Sequence, residues 1–447
     1  MSLSYLFGKR ILLLQGPVGP FFKNLSKDIK QHSGTVYKLN FNGGDQFFYS
    51  DGIVFNDRME NFPSYLHDFI IENNIDTVVL FGDCRPIHQL AKQVVYGLNI
   101  DWMVFEEGYL RPNHVTLEIG GVNGFSELPS RATHYLDQQA HFGGLSEKKS
   151  TQTSRVVEVG KTFWYAMLWA VLYYLFSSLN HKKFSNYVHH RPLTLLEALP
   201  WIKGAFRKYW FRWHERGIQE YLINDLSQKY YLVPLQTHND AQLLVHSDYS
   251  SIEEFIAEVM HSFAENAPHE TFLVLKQHPF DRGYREYSTY IDNLATVLKI
   301  QHRIFYIHDQ YLPALIEHSI GVVVINSTVG MSAIETLRPV KVCGQAVYNL
   351  PEISVQSSLD DFWEEAVNFE PKSQRVNQFL DFLMHTTQYN GSFYRRISKL
   401  HCNNNSGVIW DIVPEYNKYF NHLINASQQV VISQTNSVYK STNKEGL

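Results

Sequence analysis

The chain has 447 residues, a formal net charge of −5 and 44% hydrophobic residues. This length exceeds one ordinary hydrophobic core, so the sequence predicts two domains. The acidic net charge argues against bulk nucleic-acid binding, and a charged content of 19% argues against a disordered chain. The cysteines Cys84, Cys343 and Cys402 match no metal-binding spacing and are typical of a reducing cytoplasm.

Strand and helix patterns alternate in the first part of the chain. Alternation of this kind is typical of a parallel, doubly wound sheet, so residues 1–142 are assigned to one Rossmann-like domain. Apolar runs predict strands at 11–14, 35–39, 77–81 and 102–105, and helical patterns lie between them at 21–32, 62–73 and 86–98.

Polar or glycine-rich turns follow these four strands. Because the carboxyl ends of parallel strands meet at one edge of a sheet, the turns should line one ligand crevice. Each turn by itself is weak evidence, since glycines also simply permit tight turns. Together with Gln236 from the second unit, these turns supply the candidate substrate- and acceptor-binding residues: Gln15, Gly16, Asn42, Gly43, Asp45, Tyr109 and Arg111.

Residues 143–227 are predicted to form a linker followed by an aromatic and basic helical segment. Residues 162–179 include one uncharged run whose Trp and Tyr side chains are spread along its length, and residues 201–216 mix basic with aromatic side chains. This composition favours contact with an anionic membrane surface over a transmembrane span. The alternative is that these helices pack on the core or on a partner subunit, with the basic groups in solvent.

A second α/β unit is predicted at 228–350, followed by C-terminal helices at 351–425, one of them at 392–402, and a flexible tail at 426–447. Two motifs follow buried strands of this unit, Lys276-Gln277-His278-Pro279 and Asn326-Ser327-Thr328-Val329-Gly330. A lysine, a ring N–H and a Ser/Thr turn that opens a helix all suit a phosphate. Two Rossmann-like halves with a cleft between them form the glycosyltransferase B architecture, the fold predicted here.

Three carboxylates are candidates for chemistry in this cleft. Asp240 follows a strand of the second half, while Glu106 and Glu107 end a strand of the first, so they should face each other. Glycosyl transfer needs an acid/base carboxylate and often a second one that traps the sugar cation. A fourth carboxylate, Glu335, lies on the helix after the Asn-Ser-Thr turn, where it is a candidate for binding ribose hydroxyls. For Glu106, Glu107 and Glu335 the alternative is an ordinary solvated carboxylate.

The combination of motifs resembles the bacterial capsule polysaccharide biosynthesis and export proteins of the KpsS/LipB type. The resemblance runs from about residue 10 to about residue 345. It rests on Gln15-Gly-Pro-x-Gly-Pro-Phe-Phe, Asn42-Gly-Gly-Asp45, Glu106-Glu-Gly-Tyr-Leu-Arg-Pro112, Gln236-x-x-x-Asp240, Lys276-x-His-Pro279 and Asn326-Ser-Thr-Val-Gly330 with Glu335.

The resemblance implies a retaining transferase that moves Kdo from CMP-β-Kdo to lyso-phosphatidylglycerol at the inner face of the bacterial inner membrane. It implies that the donor is held by Lys276, His278, Pro279, Asn326, Ser327, Thr328, Gly330 and Glu335. Asp240 would be the nucleophile, Glu106 or Glu107 the acid/base, and Arg111 a partner of the Kdo carboxylate or the acceptor phosphate. No metal or other cofactor is expected. A second Kdo transferase and the capsule ABC exporter are the protein partners that the resemblance suggests.

Two other functions fit the same residues. One is a non-catalytic export component that binds the lipid-linked polysaccharide. The other is a transferase of the same fold that uses a different nucleotide sugar, because the motifs by themselves do not specify the base or the sugar.

Overall fold

The computed structural model describes residues 3–141, 156–187 and 198–410. Residues 143–155 of the linker predicted at about 143–158 lie outside these ranges. So do residues 188–197 of the inserted segment, the end of the C-terminal region and the tail predicted at 426–447. The described strands are β1 (Arg10–Leu13), β2 (Thr35–Asn40), β3 (Ile53–Val54), β4 (Thr77–Phe81), β5 (Asp101–Glu107), β6 (His114–Ile119), β7 (Tyr230–Pro234), β8 (Phe272–Lys276), β9 (Ile304–Ile307), β10 (Gly321–Val324), β11 (Val340–Val342) and β12 (Gln388–Asn390).

Helices surround these strands, and short 3-10 helices, one of them at Pro279–Gly283, connect some of them. The described α-helices are α1 (Phe21–Gln31), α2 (Gly43–Phe48), α3 (Phe62–Asn73), α4 (Pro86–Gly97), α5 (Leu128–His141), α6 (Phe163–Leu179), α7 (Ala198–His214), α8 (Ile218–Asn224), α9 (Ala241–His246), α10 (Ile252–Asn266), α11 (Ser288–Leu298), α12 (Leu312–Glu317), α13 (Val329–Glu335), α14 (Leu359–Asn368) and α15 (Ser373–Thr386).

The first sheet has seven strands in the order β12-β6-β5-β4-β1-β2-β3. Strands β1 to β5 are parallel, as predicted, but β6 runs antiparallel to β5 and β12 antiparallel to β6. The prediction of a purely parallel sheet was therefore wrong at this edge. The physical reason is that a short turn joins β5 to β6, and a connection of this length permits only an antiparallel pair.

The second sheet has five parallel strands in the order β11-β10-β7-β8-β9. Its strands bury both faces: Leu232 and Val274 belong to one hydrophobic cluster, while Tyr231 and Leu273 belong to another on the opposite face. Burial on both faces explains why these strands read as continuous apolar runs in the sequence. The prediction of two Rossmann-like domains is confirmed by these two sheets.

The C-terminal part of the described chain returns to the first domain. The helix predicted at 392–402 was wrong, because this segment consists of turns that follow β12. The hydroxyl of Ser392 accepts from the N–H of Tyr394 at 3.2 Å, and the hydroxyl of Ser398 accepts from the N–H of Leu400 at 3.4 Å. Side-chain bonds of this kind compete with helical backbone bonds.

No helix within residues 3–141, 156–187 or 198–410 is both long enough and apolar enough to cross a membrane.

Candidate active-site cleft

Three of the predicted acceptor-side residues hold the inserted helix α6 on the first sheet. Gln15, Asn42 and Asp45 are buried. The amide of Asn42 donates to the Tyr173 hydroxyl at 2.6 Å, and the amide of Gln15 donates to the same hydroxyl at 3.2 Å. Asp45 is positioned by its N–H, which donates to Asn42 Oδ1 at 2.9 Å. These residues position α6, and direct contact with an acceptor stays a prediction for them.

The glycines beside them permit close packing. A Cβ atom on Gly43 would lie 2.2 Å from the carbonyl oxygen of Phe176, and one on Gly44 would lie 2.5 Å from the Tyr173 ring. Gly16 is equally restricted, since its Cβ would lie 2.7 Å from the Phe22 ring. The glycine-rich motif therefore serves, at least in part, to let α6 approach α2.

Gly43→Ala should destabilise the protein by about 1–3 kcal/mol, because the new methyl group meets a backbone carbonyl that cannot rotate away. Urea unfolding measures the change. Gly97→Ala is the matched control: it lies at the end of α4, nothing lies within 4 Å of its Cβ position, and alanine favours helices. Equal stability of the two variants would contradict the packing role of Gly43.

Glu106 and Glu107 point to opposite faces of the first sheet, because successive side chains of a strand alternate. Glu106 lies on the face of Val104, and Glu107 on the face of Phe105. The Tyr394 hydroxyl donates to the Glu107 carboxylate at 2.7 Å. The sequence left open which glutamate acts in the cleft. In the structure the two carboxylates differ in their environments: Glu107 accepts from Tyr394, while Glu106 lies on the opposite face of the sheet.

The environment of Glu106 suits an acid/base. Burial raises the pKa of Glu106 to about 7, helped by the nearby carboxylates of Glu107 and Asp83 and opposed by the Arg85 guanidinium. Arg85 also donates to Gln15 Oε1 at 2.9 Å, which fixes it at the same edge. Sequence reasoning missed Arg85 as a site residue, although its turn, residues 82–85, was among the four expected to line the crevice.

Asp240 is the N-cap of α9. Its Oδ1 accepts from the N–H of Gln242 at 3.0 Å, and its Oδ2 lies 3.4 Å from the Gln236 amide nitrogen. Gln236 in turn donates to Asn326 Oδ1 at 2.8 Å, which joins the ends of β7 and β10. The sequence therefore brought Asp240, Gln236 and Asn326 together correctly at one sheet edge, where Asp240 is half-buried.

The Lys276 motif forms a cationic wall at the end of β8. Burial lowers the pKa of Lys276 to about 8, so the amine remains mostly charged at neutral pH, and it donates to the His308 carbonyl at 2.8 Å. Burial also lowers the pKa of His278 to about 4, and the positive charges of Lys276, Arg111 and Arg282 contribute to the lowering. His278 Nδ1 accepts from the N–H of Phe280 at 3.2 Å, so its proton lies on Nε2, a donor for an anion.

The Asn-Ser-Thr turn opens α13 beside this wall. Ser327 Oγ accepts from the N–H of Val329 at 3.3 Å, and Thr328 is the N-cap residue. Gly330 packs against Tyr348, whose hydroxyl would lie 2.4 Å from an added Cβ. Glu335 is exposed at the last residue of α13. Pro279 begins the 3-10 helix Pro279–Gly283 that follows His278.

Helix α7 supports the donor wall from outside, which the sequence did not indicate. Arg207 donates to the Arg282 carbonyl at 3.0 Å. The Phe211 ring stacks on the His308 ring with centroids 3.4 Å apart, and the Glu215 carboxylate bonds to the His308 ring. Burial by itself would lower the pKa of His308, but the carboxylates of Glu215 and Glu286 outweigh it and raise that pKa.

A thiol–imidazole contact joins the two domains. Cys84 Sγ lies 3.2 Å from His246 Nε2 and 3.7 Å from Asp83 Oδ1. Burial raises the pKa of the Cys84 thiol, and Asp83, Glu106 and Asp240 raise it further. Glu106 and Asp240 therefore come from different domains yet lie within electrostatic reach of one thiol.

The same group offers metal-ligand atoms. The ligand atoms of Asp83, Cys84 and His246 all lie within 4.8 Å of one another, and their chemistry suits zinc. The Lys92 ammonium acts electrostatically on both Asp83 and Cys84, but burial outweighs it and raises the pKa of Asp83. The absence of a metal stays a prediction, since sequence spacing does not reveal a group assembled from two domains.

Two residues of the Glu-Glu-Gly-Tyr-Leu-Arg-Pro motif differ in environment. The Tyr109 hydroxyl is buried, donates to Glu118 at 2.7 Å and accepts from the N–H of Asn123 at 2.8 Å, so it organises the turn around β6. Arg111 is exposed, and its guanidinium lowers the pKa of His278 in the other domain, after the larger effects of burial and Lys276. Arg111 therefore lies within electrostatic reach of the donor wall, and its contact with the Kdo carboxylate or the acceptor phosphate stays a prediction.

Comparison with known proteins gives consistent matches. A family model described as capsule polysaccharide biosynthesis protein matches residues 76–394. Capsule polysaccharide export protein KpsS of Escherichia coli is 36% identical over 392 residues, which cover 87% of this chain and 98% of that protein. Capsule polysaccharide modification protein LipB of Neisseria meningitidis serogroup B is 36% identical over 396 residues, which cover 87% of this chain and 92% of that protein.

Among solved structures, a β-Kdo 2,7 transferase, KpsC of Thermosulfurimonas dismutans, aligns with 83% of this chain and 99% of its own. The identity is 13% and the TM-score 0.37, so this likeness adds nothing to the topology described above. The family predicted from the motifs is confirmed by the sequence matches: the chain belongs to the capsule polysaccharide biosynthesis protein family.

Proposed function

We propose that the protein is a retaining glycosyltransferase that moves Kdo from CMP-β-Kdo to a glycerophospholipid, starting the Kdo linker of a capsular polysaccharide. The observation that carries the proposal is that Glu106 and Asp240, from different domains, both act electrostatically on Cys84, while Lys276 and His278 form a cationic wall at the end of β8. This arrangement supports two carboxylates acting on a sugar whose leaving group is an anionic nucleotide.

The first step is nucleophilic displacement. A carboxylate oxygen of Asp240 attacks the anomeric carbon of Kdo, and the bond from that carbon to the CMP phosphate oxygen breaks. The phosphate leaves with the bonding electrons and needs no proton. Lys276 and the Nε2–H of His278 would stabilise its charge, and the Ser327 and Thr328 hydroxyls would orient it.

The second step releases the enzyme. The acceptor hydroxyl attacks the same carbon, its proton passes to the Glu106 carboxylate, and the bond to Asp240 breaks. Glu106 then returns its proton to solvent. Each displacement inverts the anomeric carbon, so the β configuration of the donor is retained.

A place at the inner face of the bacterial inner membrane is part of the same proposal. Helix α6 exposes Trp164, Leu168 and Val171, and α7 exposes Trp213 next to Arg212. Exposed aromatic side chains with neighbouring cations suit an anionic bilayer surface. A second Kdo transferase and the capsule exporter remain the proposed protein partners, since either would act on the product.

The direct test is mass spectrometry of products formed from CMP-Kdo and a fluorescent lyso-phosphatidylglycerol. A product heavier by one or more Kdo units supports the proposal. Binding of the glycolipid without consumption of CMP-Kdo would instead support an export component. Turnover with a UDP-sugar in place of CMP-Kdo would support a transferase with another donor.

CMP should raise the melting temperature of the protein, and UDP and GDP should raise it less, because a ligand that binds only the folded state stabilises it. Lys276→Met should weaken CMP binding roughly tenfold to hundredfold, the equivalent of losing a charged hydrogen bond of about 1.5–3 kcal/mol. Lys229→Met is the control, because Lys229 is exposed and precedes β7, at the opposite edge of the sheet. Equal CMP affinity in both variants would remove Lys276 from the donor site.

A further inference from the structure

A cavity of about 290 Å³ lies where α6 meets the C-terminal segment. Trp169 from α6 lines one side, and Tyr394, Arg395 and Arg396 line the other. The Trp169 indole donates to the Tyr394 carbonyl at 2.9 Å, so the helix fixes this segment in place. Gly19 borders the Trp169 ring with a φ of 113°, a conformation that favours glycine.

The cavity has the chemistry of an anion site. Arg395 lies over the Tyr165 ring, 5.6 Å from its centroid, and Arg396 donates to the Asn404 carbonyl at 2.8 Å. Each guanidinium carries five N–H donors in a fork that matches phosphate, and these protein contacts use only part of them. Arg395 is half-buried and Arg396 exposed, so a ligand can reach both.

An apolar surface leads to this cavity. On α6, which also contributes Tyr165, the exposed fractions are 64% for Trp164, 47% for Leu168 and 58% for Val171. An acyl chain on this surface would continue directly into a headgroup at the arginines. A free phosphate would gain nothing from the apolar surface.

The cavity reaches the end of β5. Tyr394 lines it, and the hydroxyl of the same residue donates to Glu107 at 2.7 Å. Glu106 points to the other face of the sheet but still acts electrostatically on Tyr394. Arg111 acts electrostatically on Tyr394 and on His278, so one guanidinium lies within electrostatic reach of both the cavity and the donor wall.

From these contacts we infer that the cavity binds the phosphate of an anionic glycerophospholipid, with the acyl chain along the exposed face of α6. Arg395 and Arg396 hold the phosphate, and the glycerol hydroxyls extend past Tyr394 toward the end of β5, where Glu106 and Glu107 lie. The inference rests on the proposed function, because it names the acceptor subsite of that transferase. A lipid site on α6 also explains why the glycine-rich motif of the first domain packs against this helix.

The test is isothermal titration of the full chain with dihexanoyl-phosphatidylglycerol below its micelle concentration, and separately with glycerol 3-phosphate. The wild-type protein should bind the lipid, and glycerol 3-phosphate should bind at least tenfold more weakly because it lacks the apolar contacts. The Arg395→Ala, Arg396→Ala double variant should bind the lipid roughly tenfold to hundredfold more weakly. Equal affinity for the two ligands would overturn the role of α6.

Lys399→Ala is the matched control, since Lys399 is an exposed cation of the same segment that does not line the cavity. CMP-induced stabilisation should be unchanged in both variants, which shows that they are folded. If the double variant does not fold, Arg395→Lys with Arg396→Lys replaces it, and weakened binding is again expected because lysine lacks the fork. Wild-type lipid affinity in the arginine variants overturns the subsite.

These outcomes are independent of the transfer assay. Loss of lipid binding in the double variant without any consumption of CMP-Kdo would leave the subsite standing and remove the proposed donor chemistry. Transfer of Kdo together with wild-type lipid affinity in the double variant would support the donor chemistry and remove the subsite.

Discussion

Asp240→Asn should abolish most of the transfer activity, by on the order of 10³-fold or more, while the protein stays folded and binds CMP. The reason is that an amide oxygen is a poor nucleophile, whereas asparagine caps helices as well as aspartate does. The measurement is the rate of CMP release in the presence of acceptor lipid.

Because Asp240 also caps α9, a comparison of Asp240→Asn with Asp240→Ala separates the cap role from the chemical role. Its Oδ1 accepts from the N–H of Gln242, so Asp240→Ala loses both the cap and the carboxylate. We expect Asp240→Ala to be as inactive as Asp240→Asn and, in addition, less stable by about 1 kcal/mol. Nearly wild-type turnover in Asp240→Asn, with reduced turnover only in Asp240→Ala, would show that Asp240 is a cap and not the nucleophile.

Glu106→Gln should lower the rate of transfer by about 10²- to 10⁴-fold, the usual contribution of a general acid or base. Glu107→Gln should change the rate less than about tenfold, because glutamine still accepts the hydrogen bond from Tyr394. Comparable losses in both variants would contradict the assignment of the base to Glu106.

The pH dependence gives a second readout for Glu106. Its pKa of about 7 means that the base is unprotonated only above neutral pH, so kcat/KM should rise through about pH 7 and then level off. In Glu106→Gln this rise should disappear. The raised pKa of Glu106 in the folded state also contributes stability at low pH that is lost as the pH rises through about 7. The free energy of unfolding of Glu106→Gln, relative to that of the wild type, should therefore be higher at pH 8 than at pH 4.

Helix α2 and strand β6 show where local patterns were insufficient. The sequence predicted a turn at 40–45, but residues from Gly43 onward form a helix because α6 packs against it. From the sequence alone, Gly43 and Gly44 predict a loop, because their contact with α6 is not visible in the local pattern. Likewise β6 exists because β5 offers it an antiparallel edge, a contact that the predicted βα alternation does not contain.

The sequence by itself determined the two α/β domains, the family and the strand ends that carry the site. These features depend on local periodicity and on motifs that follow buried strands. Only the tertiary structure decided which of two adjacent glutamates faces Arg85, that Asp240 and Glu106 act electrostatically on Cys84 from different domains, and that Asn42 to Asp45 hold α6. Each of these depends on which face of a strand or helix meets a distant segment, and contacts of long sequence separation leave no local pattern in the chain.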